Sequence, residues 1–284
     1  MIDRCYIEIT NSCNLNCDFC PKHDRPKRQL TEEEFELLTD KVRGKVHFLY
    51  FHLMGEPLLH PLLPRFIHIA REKGFKTVLT SNGTLLHRAM TLLDALPHKI
   101  QLSLHSHESN VGGELSTYMD ELMRFSTQAA ERGTCVVLRL WNQGGKDKEN
   151  EEVMRLIEQY VAKPWKERPD GFRLSDNLYL EFDRKFEWPT PLPANSHQQE
   201  QLFCKALLKQ IGILVDGTLV PCCLDHNGDI NLGNLFDQSL EEILSSPRAQ
   251  ALIDGFKHHT ASEKLCKNCE SAIARNSFRG KARK

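Results

Sequence analysis

Apolar positions along the first two thirds of the chain switch repeatedly between two spacings. Short runs rich in β-branched and aromatic residues read as strands, and between them apolar residues recur at helical intervals. Residues 4–10 form the first run; residues 46–53, nearly all apolar or aromatic, form the second, as in a strand buried on both faces. Residues 76–80, 99–104, 135–141 and 178–182 supply four more. Thr31 and Glu34 stand at capping-box spacing, with Leu30 and Phe35 placed as a hydrophobic staple, and Phe35, Leu38 and Val42 then share one helical face. Phe66, Ile67, Ile69 and Ala70 mark a second helix over 64–73, closed by Gly74. A third helix is expected over 85–96. A fourth carries Leu115, Met119, Leu122 and Met123 and ends at Gly133; a fifth carries Val153, Leu156, Ile157, Tyr160 and Val161. Strands alternating with helices in this way predict parallel βα units, wound right-handedly into a barrel or an open sheet.

The pattern then changes. Residues 186–201 are polar and proline-containing and read as a linker. The following segment holds five of the ten cysteines, and the last eight residues are basic. The expected organisation is a barrel domain over 1–190, a linker over 191–203, a cysteine-rich region over 204–275 and a solvated tail over 276–284. Charge adds little, because 37 basic residues nearly cancel 38 acidic ones, and no strong nucleic-acid footprint results. No apolar run approaches the ~18–20 residues that cross a bilayer. Residues 1–4 lack the features of a signal peptide. A cytoplasmic location is expected, and for the cysteines metal binding or redox chemistry rather than disulfides.

Cys13, Cys17 and Cys20 follow the first strand at C-x3-C-x2-C spacing. Three thiolates in one loop can hold three corners of a cubane iron–sulfur cluster and leave one iron open. A structural zinc with a fourth ligand from elsewhere is the alternative on the same residues. Phe19, just before the third cysteine, can cover such a centre and lower the local dielectric.

These residues resemble the signature of the radical S-adenosylmethionine (SAM) superfamily. Met54-Gly55-Glu56-Pro57 resembles the family's GGEP segment, with Met54 in place of the first glycine. The resemblance implies that Gly55, Glu56 and Pro57 receive the SAM amino group. Thr80-Ser81-Asn82-Gly83 resembles the ribose segment, which points to Ser81 and Asn82. Ser103-Leu104-His105 resembles the S-x-D segment, with His105 where the family has aspartate. Arg139 can pair with the SAM carboxylate, or serve as a core ion-pair residue. All these motifs end successive predicted strands, where barrel active sites form. The resemblance covers about residues 4–182 and implies an α/β fold with a partial (β/α)6 TIM-like barrel. It also implies the chemistry: a reduced [4Fe–4S] cluster with an open iron cleaves SAM to methionine and a 5′-deoxyadenosyl radical, which takes a hydrogen atom from substrate.

Cys204, the Gly217-x4-Cys222 pair, and Cys266 with Cys269 resemble the shortened SPASM region called Twitch, a small cysteine-rich α+β extension. The resemblance implies one auxiliary [4Fe–4S] cluster in an electron-transfer role. A structural zinc ribbon is the alternative. Cys223 beside Cys222 leaves the ligand choice open. Asp225 is either a proton acceptor near the cluster or, more simply, a solvated loop residue. Cys5 and Cys135 read as core residues. His52 and His105, near strand ends, are pocket candidates.

Residues 51–59 and 265–269 are similar to the corresponding runs of Twitch-bearing dehydrogenases. The expected function is therefore a radical SAM enzyme acting on a carbohydrate- or nucleoside-like small molecule by oxidation or rearrangement. A flavodoxin- or ferredoxin-type electron donor is expected. A peptide- or protein-modifying maturase is the alternative, made less expected by the lack of a leader-binding domain before the first strand. A non-enzymatic iron–sulfur or zinc-binding protein is the third reading, against which the SAM-like segments speak. No residue is indicated as catalytic acid or base.

Overall fold

The computed structural model of the chain describes residues 2–110, 113–185, 187–191 and 202–272. Nearly all of the expected linker and the whole expected tail over 276–284 lie outside them. Six strands build the barrel part of the sheet: β1 (Arg4–Ile7), β2 (Phe48–Tyr50), β3 (Lys76–Ser81), β4 (Lys99–Ser103), β5 (Cys135–Gln143) and β8 (Leu178–Arg184). Each pairs in parallel with the next, in that order. Helices α1 (Glu32–Val42), α2 (Leu63–Glu72), α3 (Leu115–Glu131) and α4 (Asn150–Glu158) make the crossovers. The sheet is open and does not close on itself. This is the partial (β/α)6 barrel that the family resemblance implies, and of the barrel and open sheet that the alternation allows, the sheet is the open one.

Alternate residues on the strands face opposite sides. Cys5, Ile7, Leu49, Phe51, Ile100, Leu102, Leu138 and Leu180 join the apolar core under the helices. Their neighbours Tyr6, Tyr50, His52, Arg139 and Glu181 turn the other way, into the barrel interior. Tyr6 stacks on Tyr50 there, with ring centres 4.5 Å apart, and meets His52 edge-on. The helix-side core is therefore apolar throughout, whereas the interior mixes aromatic and polar groups, which suits a ligand chamber better than a packed core.

Several expectations are corrected. The third helix over 85–96 is replaced by two short 3-10 turns, Leu86–Arg88 and Met90–Asp94, which meet at Ala89. β1 and β2 are shorter than the runs over 4–10 and 46–53; past β1, Thr10 bridges Gln29 of the returning loop. The antiparallel hairpin β6 (Lys166–Arg168) and β7 (Gly171–Ser175) has no counterpart in the reading above. It turns at Pro169-Asp170-Gly171, a turn sequence between two short polar strands with little hydrophobic signal. Cys135 begins β5 and is half-buried, unlike the fully buried Cys5.

The cysteine-rich segment extends the same sheet. β9 (Gln210–Ile213) pairs in parallel with β1, and β10 (Leu219–Val220) pairs antiparallel with β9. Helices α5 (Leu240–Leu244), α6 (Pro247–Lys257) and α7 (Lys264–Lys267) follow. The Ser239/Glu242 capping box opens α5 and the Thr31/Glu34 box opens α1, both with reciprocal hydrogen bonds.

Candidate functional site

The loop after β1 is held by backbone-directed bonds rather than by secondary structure. Asn11 donates to Pro26 O at 2.8 Å and accepts from Arg28 N at 2.9 Å, pinning the returning chain against the loop's start. Lys22 donates to Cys17 O at 3.1 Å. Within this frame Cys17 is buried, Cys20 is partly covered and Cys13 is exposed. Burial pushes the Cys20 thiol up to about 11 and raises Cys13 and Cys17 as well. Such thiols hold their protons until a positively charged centre displaces them. The donor set fits a cluster: three thiols on one loop, one dry and one open to solvent.

Glu8, at the end of β1, is a residue the motif reading missed. Its carboxylate is fully buried and takes a bidentate pair of 2.6 Å bonds from Arg25 in the cysteine loop. It also accepts from Met54 N at 3.1 Å and from Val215 N at 3.0 Å. One carboxylate thus ties the cysteine loop, the segment after β2 and the cysteine-rich region together. An acidic residue inside an apolar strand run was the available signal.

The segment after β2 lies directly on the cysteine loop. Gly55 has φ +79, and a Cβ there would stand 2.3 Å from Thr10 O. Glu56 N donates to Ser12 O at 2.8 Å. The Glu56 carboxylate, almost wholly buried, accepts from Leu58 N at 3.0 Å and Asn82 N at 2.8 Å. It therefore joins the ends of β2 and β3, and Pro57 begins the 3-10 turn that it caps. Ser81 accepts from Gly83 N, and Asn82 Nδ2 donates to Asn14 Oδ1 at 3.0 Å and lies 4.0 Å from Cys13 Sγ.

Burial pushes the Glu56 carboxyl up to about 7 from an ordinary 4.5, against the pull of the Asn82 and Leu58 N–H groups. The folded chain binds this proton more tightly than the unfolded chain does. The resulting stability is fully present below about 4.5 and is lost as pH rises through about 7. Melting temperatures of wild type and Glu56→Gln, measured on the iron-free chain, are expected to diverge in this window. The variant gains on wild type as pH rises; a difference that stays flat from pH 4.5 to 7 would contradict the burial effect.

At the end of β4, Ser103 pairs in register with Arg139 of β5, and His105 follows on a 3-10 turn. His105 Nδ1 sits 3.1 Å from Arg139 O, and its other flank meets the Phe19 ring at 5.0 Å. Burial lowers the His105 imidazole to about 4 and that of His52 to about 3, so both are neutral near pH 7. Arg139 is half-buried with its guanidinium 4.0 Å over Trp141, and its buried Nε has no hydrogen-bond partner. Burial lowers it to about 10, opposed by the nearby Glu181, Tyr6, Tyr50 and Cys223. Cationic at neutral pH, it faces the interior. The His52 Nδ1 atom is likewise buried without a partner. Orphaned polar atoms of this kind mark a place where a ligand or water belongs. Beside the cysteine loop, a small, partly open pocket is lined by Phe19, Trp141, Asn142, Lys146 and Lys185 among others.

The second cysteine set surrounds a separate small cavity. Cys204, Cys222, Cys266 and Cys269 line it, with Leu202, Pro221, Leu224, Ile230 and Leu265 completing an apolar wall. Cys223 turns the opposite way, against Tyr6, Leu53, Leu214 and Val220 at the base of the barrel interior. Among the described residues, no three His, Cys, Asp or Glu side chains converge closely enough to hold a single metal ion. Four thiols around one apolar space are the donor set of a cubane cluster or of a zinc site. Asp225 is not a solvated loop residue: it is fully buried, accepts from Asp229 N at 2.8 Å and Ile230 N at 2.9 Å, and burial pushes its carboxyl up to about 6. Its bonds hold the turn that brings Ile230 to the cavity wall.

Comparison with known proteins agrees with this geometry. Residues 7–157, just over half the chain, match the model of the radical SAM superfamily, and residues 204–270 match the SPASM iron–sulfur cluster-binding domain. The chain is 38% identical over 112 residues to GTP 3′,8-cyclase of Chlorobaculum tepidum, covering 36% of this chain and 33% of that one. It is 25% identical over 166 residues to SAM-dependent tRNA 4-demethylwyosine synthase of Pyrococcus abyssi, covering 56% and 46%. The chain thus spans less than half the length of these relatives. The fold is similar to that of BtrN in complex with AdoMet and 2-DOIA, at TM-score 0.58 and 16% identity, covering 95% of this chain and 93% of that one. It is also similar to anSMEcpe with bound AdoMet and a Cp18Cys peptide, at TM-score 0.60 and 15% identity, covering 94% and 85%. No helix among the described residues is long and apolar enough to cross a membrane. The chain belongs to the radical SAM superfamily: it is a radical SAM enzyme with a SPASM domain, whose cofactors are SAM, a [4Fe–4S] cluster and auxiliary iron–sulfur binding.

Proposed function

We propose that the chain reductively cleaves SAM and removes a hydrogen atom from a small carbohydrate- or nucleoside-like substrate held in the barrel interior. The observation that carries this reading is the packing of the cysteine loop directly against the ends of β2, β3 and β4, through Gly55, Glu56, Asn82 and His105. Cys13, Cys17 and Cys20 would hold the cluster with the open iron. Gly55, Glu56 and Pro57 would face the SAM amino group, Ser81 and Asn82 the ribose, and Ser103, His105 and Arg139 the remaining polar groups, Arg139 its carboxylate. Phe19 and the cavity beside it would shelter the adenine. When bound, this pair supplies a 5′-deoxyadenosyl radical after one-electron reduction of the sulfonium.

The chain's own residues do the rest. The apolar wall around the second cysteine set keeps water from those thiols, Cys17 is the buried thiol of the first set, and neutral His52 with cationic Arg139 offers polar contacts to a substrate in the interior. Cys204, Cys222, Cys266 and Cys269 would hold one auxiliary cluster. With four protein ligands no iron is left to bind substrate, so electron transfer is its role. A flavodoxin- or ferredoxin-type protein would supply the first electron. None of the ten cysteines forms a disulfide, which supports a reducing, cytoplasmic setting.

Anaerobic reconstitution with iron and sulfide, followed by SAM and dithionite, tests the reading. The expected products are 5′-deoxyadenosine and methionine; none above a Cys13→Ala control would refute it. About eight irons per chain are expected, falling to about four when Cys13, Cys17 and Cys20 are replaced together. A value near four in the intact chain would refute the auxiliary cluster. A substrate-dependent product appearing only with a peptide would replace the small-molecule assignment.

A further inference from the structure

Asn110 lies beyond β4, outside every motif read from the sequence, yet its side chain reaches the cysteine loop. Its Nδ2 donates to Cys17 Sγ at 3.0 Å across 93 residues of sequence. The same nitrogen donates to Ser106 O at 2.7 Å, and Oδ1 accepts from Asn16 N at 3.0 Å. A backbone N–H can only donate, so it settles which end of the carboxamide is oxygen and turns the NH2 toward sulfur. Both amide hydrogens and the oxygen are engaged, which leaves the group little freedom to turn.

The other two sulfurs differ. Cys13 receives Leu15 N from its own loop at 3.4 Å, with Asn82 Nδ2 only at 4.0 Å. Cys20 Sγ is itself a donor, to Pro21 O at 3.5 Å. Cys17 is also the buried member of the three, so a dipole aimed at it acts in the lowest dielectric. An N–H directed at a ligating sulfur stabilises the more electron-rich form of a cluster and raises its reduction potential.

We propose that Asn110 is a positioning residue whose carboxamide, donating to the Cys17 sulfur, raises the reduction potential of the cluster held by Cys13, Cys17 and Cys20. The proposal rests on the cofactor reading above. Ser106, which accepts from Asn110, itself donates to Asn82 O at 3.3 Å, so the amide is anchored to the segment assigned to the ribose.

The test is an EPR-monitored redox titration of the reconstituted full chain, following the reduced-cluster signal that changes when SAM is added. Asn110→Leu removes every polar contact; Asn110→Asp keeps an acceptor for Asn16 N–H but has no donor. Both variants are expected to retain wild-type iron content. The midpoint of the SAM-sensitive signal should move to lower potential, further in Asn110→Asp, while that of the auxiliary cluster stays put. An unshifted midpoint in fully loaded variants would overturn the proposal. So would loss of the signal from both variants, since Asn110 would then be a loop support rather than a donor to sulfur. Failure of the cofactor reading looks different: wild type itself would then show no SAM-sensitive signal.

Discussion

Glu8→Ala is expected to destabilise the iron-free fold by about 3–5 kcal/mol, the range for removing one partner of a buried ion pair. The Glu8 side chain is 0% exposed and that of Arg25 only 12%. Removing the carboxylate strands the Arg25 guanidinium, whose Nε already lacks a partner, and leaves Met54 N and Val215 N without their acceptor. Each orphaned buried N–H adds about 1–3 kcal/mol within that loss. Urea unfolding monitored by circular dichroism measures the effect. Because Arg25 belongs to the cysteine loop, reconstituted Glu8→Ala is also expected to hold less iron at the first site than at the second. A loss of stability below 1 kcal/mol would show that the loop has other anchors of equal strength.

Gly55→Ala is expected to be the most damaging single methyl in the site. The left-handed backbone costs a non-glycine residue about 1–2 kcal/mol. The added Cβ would stand 2.3 Å from Thr10 O and 2.9 Å from Ser12 O, both backbone atoms that cannot rotate away. Relief requires the segment after β2 to lift off the cysteine loop, which lengthens the 2.8 Å bond from Glu56 N to Ser12 O. Overpacking of this kind adds about 1–3 kcal/mol. Loss of SAM binding, measured by equilibrium dialysis against the reconstituted chain, is expected to exceed what the loss of stability explains. Unchanged SAM affinity in a folded variant would detach Gly55 from the SAM site.

The two capping boxes, the cysteine triplet and the βα alternation were legible because each depends on residues close in sequence. Thr31 and Glu34 stand three apart and bond each other in α1 as their spacing requires. The expected helix over 85–96 is instead two 3-10 turns that meet at Ala89, a break that the apolar spacing does not record. A loop aspartate such as Asp225 shows its charge in sequence but not its surroundings; two backbone N–H groups five residues or fewer away, together with an apolar cavity wall, account for its burial. Asn110 and Glu8 carry no motif at all.

By itself the sequence determined which residues can act together over short distances: three thiols on one loop, a glycine followed by an acidic residue at the next strand end, and a second cysteine group in a separate segment. Covalent spacing and the two backbone periods are sufficient for that. Only the tertiary structure decided which distant groups meet. The β9–β1 pairing lays the cysteine-rich region along the barrel's first strand, which brings Val215 to Glu8 across 207 residues. It also turns Cys222 into the four-thiol cavity and Cys223 into the barrel interior. Such partners depend on which sheet edge is covered and which polar group must be satisfied once buried, and no local pattern records either.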